Sequence, residues 1–422
     1  MDLYSELAWR GMVYDTTEGL QEVLAAERVT AYVGFDPTAA SLHVGSLLPV
    51  MALARLQRCG HSPIALVGGG TGLIGDPSGK AVERSLLSPE KVETNVRGIR
   101  SQLERFLDFD PGPHSARLVN NAEWLGELSA LAFMRDVGKF FTVNYMLAKE
   151  SVKRRVESED GISYTEFSYL LLQAYDFFVL YDRYGCGVQM GGSDQWGNIT
   201  AGLDLIRKLR GAKAHGLVMP LVTTAAGTKF GKTEAGSVWL DPALTSPYEF
   251  YQFWLNVDDR DAARYARYFT FLSAADIEEL ERSSEREPER RHAQRQLARE
   301  VTRLVHGEAA VAEAESAAEK LFGGDLTTMS VQELLQIFQS VPSCDVASVD
   351  GGWTIVELLV SAGVTASKGE AARLVKGGGI SVNGHRVADE KARFRPDQAI
   401  EGKIFAIRKG KKDNYLVRLV RP

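Results

Sequence analysis

Residues 30–46, TAYVGFDPTAASLHVGS, govern how the rest of the chain is read. Thr30 to Phe35 is apolar and β-prone, Asp36-Pro37-Thr38 interrupts it, and Ser41 to Gly45 opens a helix predicted to run to Arg58. A strand therefore ends against a helix N-terminus. Such a junction gathers free backbone N–H groups and the positive end of a helix dipole at one point, which suits a phosphate. His43 adds a donor there, and Gly45 removes a side chain that would hold a nucleotide off the backbone. Taken alone, the pattern fits a capping or surface histidine as well.

Working outward, SPIALV (62–67) and Arg117–Asn120 read as further strands, Val188–Met190 as a fourth and Leu217–Thr223 as a fifth. Helical spacing runs over residues 17–27, 89–109, most of 123–159, and 164–185. This alternation predicts an α/β fold on a parallel sheet, where ligands gather at the carboxyl ends of strands. Three glycine-containing loops follow such ends. GGGTGLIGDPSGK (68–80) has five glycines between Gly68 and Gly75 and is predicted to bring backbone close to a ligand, with Asp76, Lys80 and Arg84 after them. It is neither a Walker loop nor a dinucleotide fingerprint. GGSDQWGNITAG (191–202) offers Asp194 as a helix cap or a ribose acceptor, and AAGTKFGKTEAGS (225–237) sets Lys229 and Lys232 between glycines, suited to a polyphosphate. In the helix YTEFSYLLLQAYDFFVLYDRYG, residues Tyr169, Gln173 and Asp176 fall at i, i+4 and i+7. A polar stripe on an otherwise apolar helix meets water or a buried polar ligand.

Composition is that of an ordinary globular chain: 422 residues, 45% hydrophobic and 25% charged, enough for two or three domains. No run reaches membrane-spanning length and the N-terminus lacks an export pattern, so a cytoplasmic protein with no membrane partner is expected. Cys59, Cys186 and Cys344 are far apart without metal-ligand spacing, so reduced thiols and no protein-bound metal are expected. Charge is uneven. Residues 366–422 carry 14 Lys and Arg against 6 Asp and Glu, net +8, while the rest is net −14. A basic tail on an acidic body suggests a polyanionic partner, with Lys368, Arg373, Lys376, Arg386, Arg408, Lys409, Lys411 and Lys412 as candidates for a phosphate backbone. Residues 247–322 read as all-helical, and SVPSCDVASVDGG (340–352) as a linker.

In this order the segments resemble the bacterial tyrosyl-tRNA synthetases, a class I aminoacyl-tRNA synthetase family, over essentially the whole chain. GFDPTAASLHVGS resembles the first class I signature, HIGH. KFGKT resembles the second, KMSKS, in the form tyrosine enzymes use. YLLLQAYDF, GGSDQWGN and the basic C-terminal segment resemble tyrosine-enzyme segments in the expected sequence. The resemblance implies a Rossmann-like catalytic domain (1–222), a signature loop and all-helical domain (223–340), a linker (341–352) and a small basic α+β RNA-binding domain (353–422). It implies L-tyrosine, ATP with Mg²⁺ carried on it, and tyrosine tRNA as partners, no tightly bound cofactor, and a homodimer.

Position by position, Tyr32 and Asp176 match the residues that meet the substrate phenol. Asp76, Tyr169 and Gln173 match those holding its amino group, with Gln195 near the carboxylate. Thr38, His43, Gly45, Lys229, Lys232 and Thr233 match the ATP phosphate contacts, Asp194 the ribose contact, and Lys80 and Arg84 a pair reaching the pyrophosphate. One position departs: Ser46 stands where HIGH ends in His, which predicts weaker help to the phosphate there. The alternatives are a tryptophanyl-type synthetase, a small-molecule adenylyltransferase on the same nucleotide site, and an RNA-binding scaffold with a relict nucleotide site.

Overall fold

The computed structural model describes residues 2–77, 87–159, 161–228, 230–233, 236–323, 326–338, 341–349, 351–410 and 413–420, with backbone alone at 151, 232–233, 320–323 and 336. Lys80, Arg84, Lys229, Lys411 and Lys412 thus lie outside the described residues, as do the side chains of Lys232 and Thr233. Two compact units form, one from Met1–Leu240 with Val257–Leu297, the other from Asp241–Asn256 with Ala298–Pro422.

The first unit is built on a six-stranded sheet of β1 (Asp15–Thr16), β2 (Thr30–Phe35), β3 (Ser62–Val67), β4 (Arg117–Asn120), β5 (Cys186–Gly192) and β6 (His215–Met219), in the order β1-β6-β5-β2-β3-β4. All neighbouring pairs are parallel except β1 with β6. The chain runs outward from β2 through β3 to β4, then returns to β5 on the other side. The order reverses at the carboxyl ends of β2 and β5, the place where open α/β sheets form their binding crevice.

β2, β3 and β4 occupy the predicted ranges. β6 lies earlier than the expected Leu217–Thr223, because Pro220 has no N–H to continue the ladder while His215 and Gly216 pair with Val188 and Gln189. The broad helix expected over 123–159 is broken into Ala122–Leu125, Ala130–Asp136, Val143–Leu147 and Glu150–Val156, with Ser129 and Thr142 each capping a new start. Tyr164–Tyr184 is one continuous helix, capped by Ser163 and ended by Gly185 in the left-handed region.

After β6 comes a small ribbon of β7 (Lys232–Thr233) and β8 (Gly236–Ser237). Trp239 then bridges to His43 on the first signature, Val44 N–H donates to the Val238 carbonyl at 2.9 Å, and Leu240 N–H to the Leu42 carbonyl at 2.9 Å. These bonds join the second-signature segment to the catalytic unit, so the expected boundary at 222 falls too early. The Asp259–Phe269 helix belongs to that unit as well.

In the second unit, β9 (Ser343–Ala347), β11 (Ile380–Val382), β12 (His385–Val387), β14 (Ile404–Lys409) and β15 (Asp413–Val420) form a sheet in the order β12-β11-β14-β15-β9, beside a short pair of β10 (Trp353–Thr354) and β13 (Arg393–Phe394). The Ile380–Val387 hairpin turns on Asn383 and Gly384, both at positive φ, as NG turns do. Two apolar clusters share this sheet's residues. Ile355, Leu358, Leu359, Ala371 and Val375 pack with Phe405, Ile407 and Val417, while Leu334 and Phe338 pack with Ile404, Ala406 and Leu416. The expected linker is therefore corrected: residues 343–347 are a strand pairing parallel with β15, because the Ser and Gly content marking a linker also encloses Cys344-Asp345-Val346, whose Val346 is buried.

Candidate active site

The crevice at β2 and β5 is lined by hydrogen-bonded polar side chains. Tyr32, on β2, is 1% exposed, its ring tilted against Phe177, and its hydroxyl has no hydrogen-bond partner among the described residues. Burial, then the charge of Asp176, raises that phenol well above its ordinary range. Asp176 is itself buried on the Tyr164–Tyr184 helix and accepts hydrogen bonds from Asn121 Nδ2 at 2.8 Å and Trp124 Nε1 at 2.7 Å. Burial pushes its carboxyl up to about 7 against those two donors, with the charge of Asp36 adding to the rise.

Two turns earlier on the same helix, Tyr169 donates its hydroxyl to Asp36 Oδ2 at 2.8 Å. Thr71 donates to Asp36 Oδ1 at 2.8 Å and receives Asn121 Nδ2 at 3.0 Å, closing a chain from Asp36 to Asp176. Gln173 donates to Gln195 Oε1 at 3.2 Å and accepts from Asn198 Nδ2 at 2.8 Å, and Gln195 Nε2 donates to Asp76 Oδ2 at 2.7 Å. The expected amino-acid residues Tyr32, Asp76, Tyr169, Gln173, Asp176 and Gln195 therefore lie around one crevice. Tyr169, Gln173 and Asp176 are a stripe facing a buried polar site, not water.

The phosphate side is built from the first signature. His43 has extended backbone ahead of a single 3₁₀ turn, Val44–Ser46, and the helix proper is Leu47–Arg58. The helix thus begins later than Ser41, since His43 and Leu42 are engaged by the strand-like Val238–Leu240 segment. A Cβ at Gly45 would come within 2.8 Å of the His43 ring, so glycine is what lets the imidazole fold over this turn. Ser46 is half-buried and makes no capping bond. Thr38 is exposed on the β2 loop, and Asp194 sits half-buried in the 3₁₀ turn after β5.

The glycine loop after β3 differs from its expected role. A Cβ at Gly68 would strike Asp36 Oδ1 at 2.3 Å, at Gly69 Asn120 Oδ1 at 2.2 Å, and at Gly72 the Pro37 ring at 2.9 Å. Gly70 N–H donates to Asn121 Oδ1 at 2.7 Å. These glycines make room for the protein's own Asp36, Thr71 and asparagines, which hold the network, so their closeness is to the chain itself.

Asp36, Thr71, Asn121, Trp124, Asn198 and Gln189 are the residues that sequence reading missed. Asn121 follows the carboxyl end of β4, the position that open sheets use for ligand groups, and Asn198 stands three residues after Gln195 on its helix; both signals were available. Gln189 is buried directly across the ladder from Tyr32, and its Oε1 has no partner among the described residues. In the second unit, Arg386 and Arg408 each pair with Ser381 across the sheet and so share one face. Lys376 and Lys409 are engaged internally, with Glu390 at 3.0 Å and Glu370 at 3.0 Å.

Against known proteins, residues 24–323 match the family of tRNA synthetases class I (W and Y), and residues 333–417 the SYY-like C-terminal domain of tyrosine--tRNA ligase. The tyrosine--tRNA ligase of Roseiflexus castenholzii is 59% identical over 421 residues, covering 99% of both chains, and that of Bacillus caldotenax is 55% identical over 99% of this chain and 100% of its own. Among solved structures, a C-terminally truncated mitochondrial tyrosyl-tRNA synthetase of Aspergillus nidulans superposes with a TM-score of 0.69 at 32% identity, over 76% of this chain and 94% of that one. The polar crevice at the sheet's reversal, the paired signatures and these full-length likenesses agree: the chain belongs to the class I tyrosyl-tRNA synthetases.

Proposed function

We propose that this chain activates L-tyrosine with ATP to tyrosyl-adenylate and pyrophosphate, then passes the tyrosyl group to the terminal ribose of tyrosine tRNA. The observation that carries this reading is the buried Tyr32 hydroxyl, unpartnered among the described residues, under the charge of Asp176. A burial of that kind costs roughly 1–3 kcal/mol unless a ligand satisfies it. A phenol O–H does so at both ends, accepting from Tyr32 and donating to Asp176. Phenylalanine would leave the Tyr32 hydroxyl unsatisfied and Asp176 without a third donor in a buried site, which is the basis of selection against it.

The amino group of tyrosine is met by Asp76, Tyr169 and Gln173, and its carboxylate lies near Gln195. That carboxylate is ionised at neutral pH and needs no general base to attack the α-phosphorus. The new carboxyl–phosphorus bond forms as the bond to the pyrophosphate oxygen breaks. What the step requires is alignment and positive charge on the departing group. His43 and the N–H groups beside Gly45, with Thr38, Lys80, Arg84, Lys229, Lys232 and Thr233, supply these, Asp194 holds the ribose, and Mg²⁺ enters on ATP. The ribose hydroxyl of the tRNA then displaces AMP.

Arg386 and Arg408, with Lys368 and Arg373, contact the tRNA backbone. The protein acts as a homodimer, a reading favoured by the exposed apolar side chains Leu131, Met134, Val143, Leu147 and Tyr164 gathered within one stretch of the catalytic unit. Its substrates place it in the cytoplasm. Pyrophosphate exchange with tyrosine, with tryptophan and with no amino acid tests the activity: exchange with tyrosine alone is expected, falling at least a hundredfold in Asp176→Ala. Exchange supported by tryptophan, or independent of amino acid, refutes it. Sedimentation of the wild type and of Leu131→Asp tests the dimer, which the first should form and the second should not.

A further inference from the structure

The second signature departs from KMSKS at its two inner positions, Phe230 and Gly231, and both departures have a physical counterpart. Phe230 is buried, stacked on Phe269 with centroids 5.4 Å apart and planes 13° apart, and tilted against Tyr265 at 4.8 Å. Those two rings stand four residues apart on the Asp259–Phe269 helix, hence on one face of it. Gly231 has φ +81°, and a Cβ there would come within 2.8 Å of Val44 Cγ2 and 3.4 Å of the Gly45 nitrogen, the two inner residues of the first signature.

The same helix grips the segment leading into the signature. Asp261 Oδ2 accepts from the Ala225 N–H at 2.8 Å, and the Thr223 carbonyl accepts from the Tyr265 hydroxyl at 3.0 Å and Arg264 Nη2 at 2.6 Å. Phe230 N–H donates back to the Val222 carbonyl at 3.3 Å. The Asp259–Phe269 helix thereby holds 223–225 by polar groups and 230 by aromatic ones.

We propose that Phe230 and Gly231 are positioning residues that lock the second signature onto the first: Phe230 plugs the Tyr265–Phe269 socket, and Gly231 lets the backbone between Lys229 and Lys232 press against Val44 and Gly45. The pair sets where that backbone stands relative to His43, and so acts on the nucleotide through the lysines on either side. A side chain at 231 would push the two signatures apart, and a small side chain at 230 would leave the socket empty. This rests on the reading that Lys232 acts on ATP phosphates.

The test measures pyrophosphate exchange over ATP concentration together with equilibrium tyrosine binding, in Phe230→Ala, Phe230→Met, Phe269→Leu and Lys232→Ala. Phe230→Ala is expected to lower kcat/KM for ATP at least tenfold while the Kd for tyrosine stays within twofold of wild type. Phe230→Met, whose thioether refills an aromatic socket, should recover most of the loss. Phe269→Leu opens the socket from its other side and should show the same split, which keeps the test sound if Phe230→Ala does not fold. Near wild-type ATP kinetics in both socket variants, with a tenfold or greater loss in Lys232→Ala, overturns the lock alone. Equal losses in tyrosine and ATP affinity also overturn it, since they report general damage. Wild-type exchange in Lys232→Ala overturns the reading of the lysines, and the lock with it.

Discussion

At Asp176, burial pushes the carboxyl up to about 7 although Asn121 and Trp124 both donate to it. In the proposed function its ionised form is the one that accepts the phenol O–H, which would couple tyrosine binding to loss of a proton. Affinity for tyrosine should fall about tenfold per pH unit once the pH drops below 7, and Asp176→Asn should flatten that slope. The sign for stability is opposite. The folded pKa stands above the ordinary aspartate value of 3.8, so the ligand-free fold binds more protons than the unfolded chain between roughly pH 4 and 7. This group therefore strengthens the free fold as pH falls through that window. Titrating tyrosine binding and urea unfolding from pH 4 to 8 on wild type and Asp176→Asn checks both; a pH-independent tyrosine affinity in the wild type would contradict the assignment. Asp176 was visible in the sequence by its spacing from Tyr169. Asn121 could be placed after the carboxyl end of β4, but its bond to Asp176 could not be read, because that depends on how β4 and the Tyr164–Tyr184 helix come together, which no local pattern encodes.

At the scale of elements, the Asp259–Phe269 helix is fixed at its carboxyl end by two buried arginines. Arg55 donates to the carbonyls of Tyr268 at 3.0 Å, Arg267 at 3.1 Å and Thr270 at 2.6 Å, while Arg10 reaches those of Arg267, Thr270 and Leu272. These are the orphan carbonyls and the negative end of a helix dipole, where a cation is favoured. Burial, and then Arg10 beside it, lowers Arg55 well below the usual guanidinium range, with Glu6 opposing. Arg55→Met keeps the stem but strands the carbonyls, and should cost about 3 kcal/mol in urea unfolding. A loss under about 0.5 kcal/mol would show that the carbonyls find other partners. Read as sequence, Arg55 is simply one of two arginines near a helix end. Its burial arises because residues more than two hundred positions away fold over it.

For the whole molecule, charge division is the feature that composition already displayed. The acidic body carries the proposed small-substrate site, and the basic end presents Arg386 and Arg408 in one cross-strand row. Replacing both with alanine should raise the KM for tRNA in charging by about tenfold and weaken its salt dependence, while leaving pyrophosphate exchange at the wild-type rate. Charging unaffected at physiological salt would remove this face from the interface. Internal pairing changes the weight of individual lysines. Lys376 and Lys409 looked equivalent to their neighbours by composition, yet each is paired with a glutamate brought near by folding.

The strand–turn–helix at 30–58, the period-2 and period-3.6 runs, and the glycine-flanked signatures are local: their backbone preferences and spacing act within a few residues, so the amino-acid order alone determined the α/β class and the polar stripe of Tyr169, Gln173 and Asp176 on one helix. Strand order, the sharing of Asp36 and Asp176 through Thr71 and Asn121, the inward use of the 68–72 glycines, and the strand at 343–347 were decided only in tertiary structure. Each depends on which distant groups satisfy a buried donor or acceptor, and that is set by packing after the elements have formed.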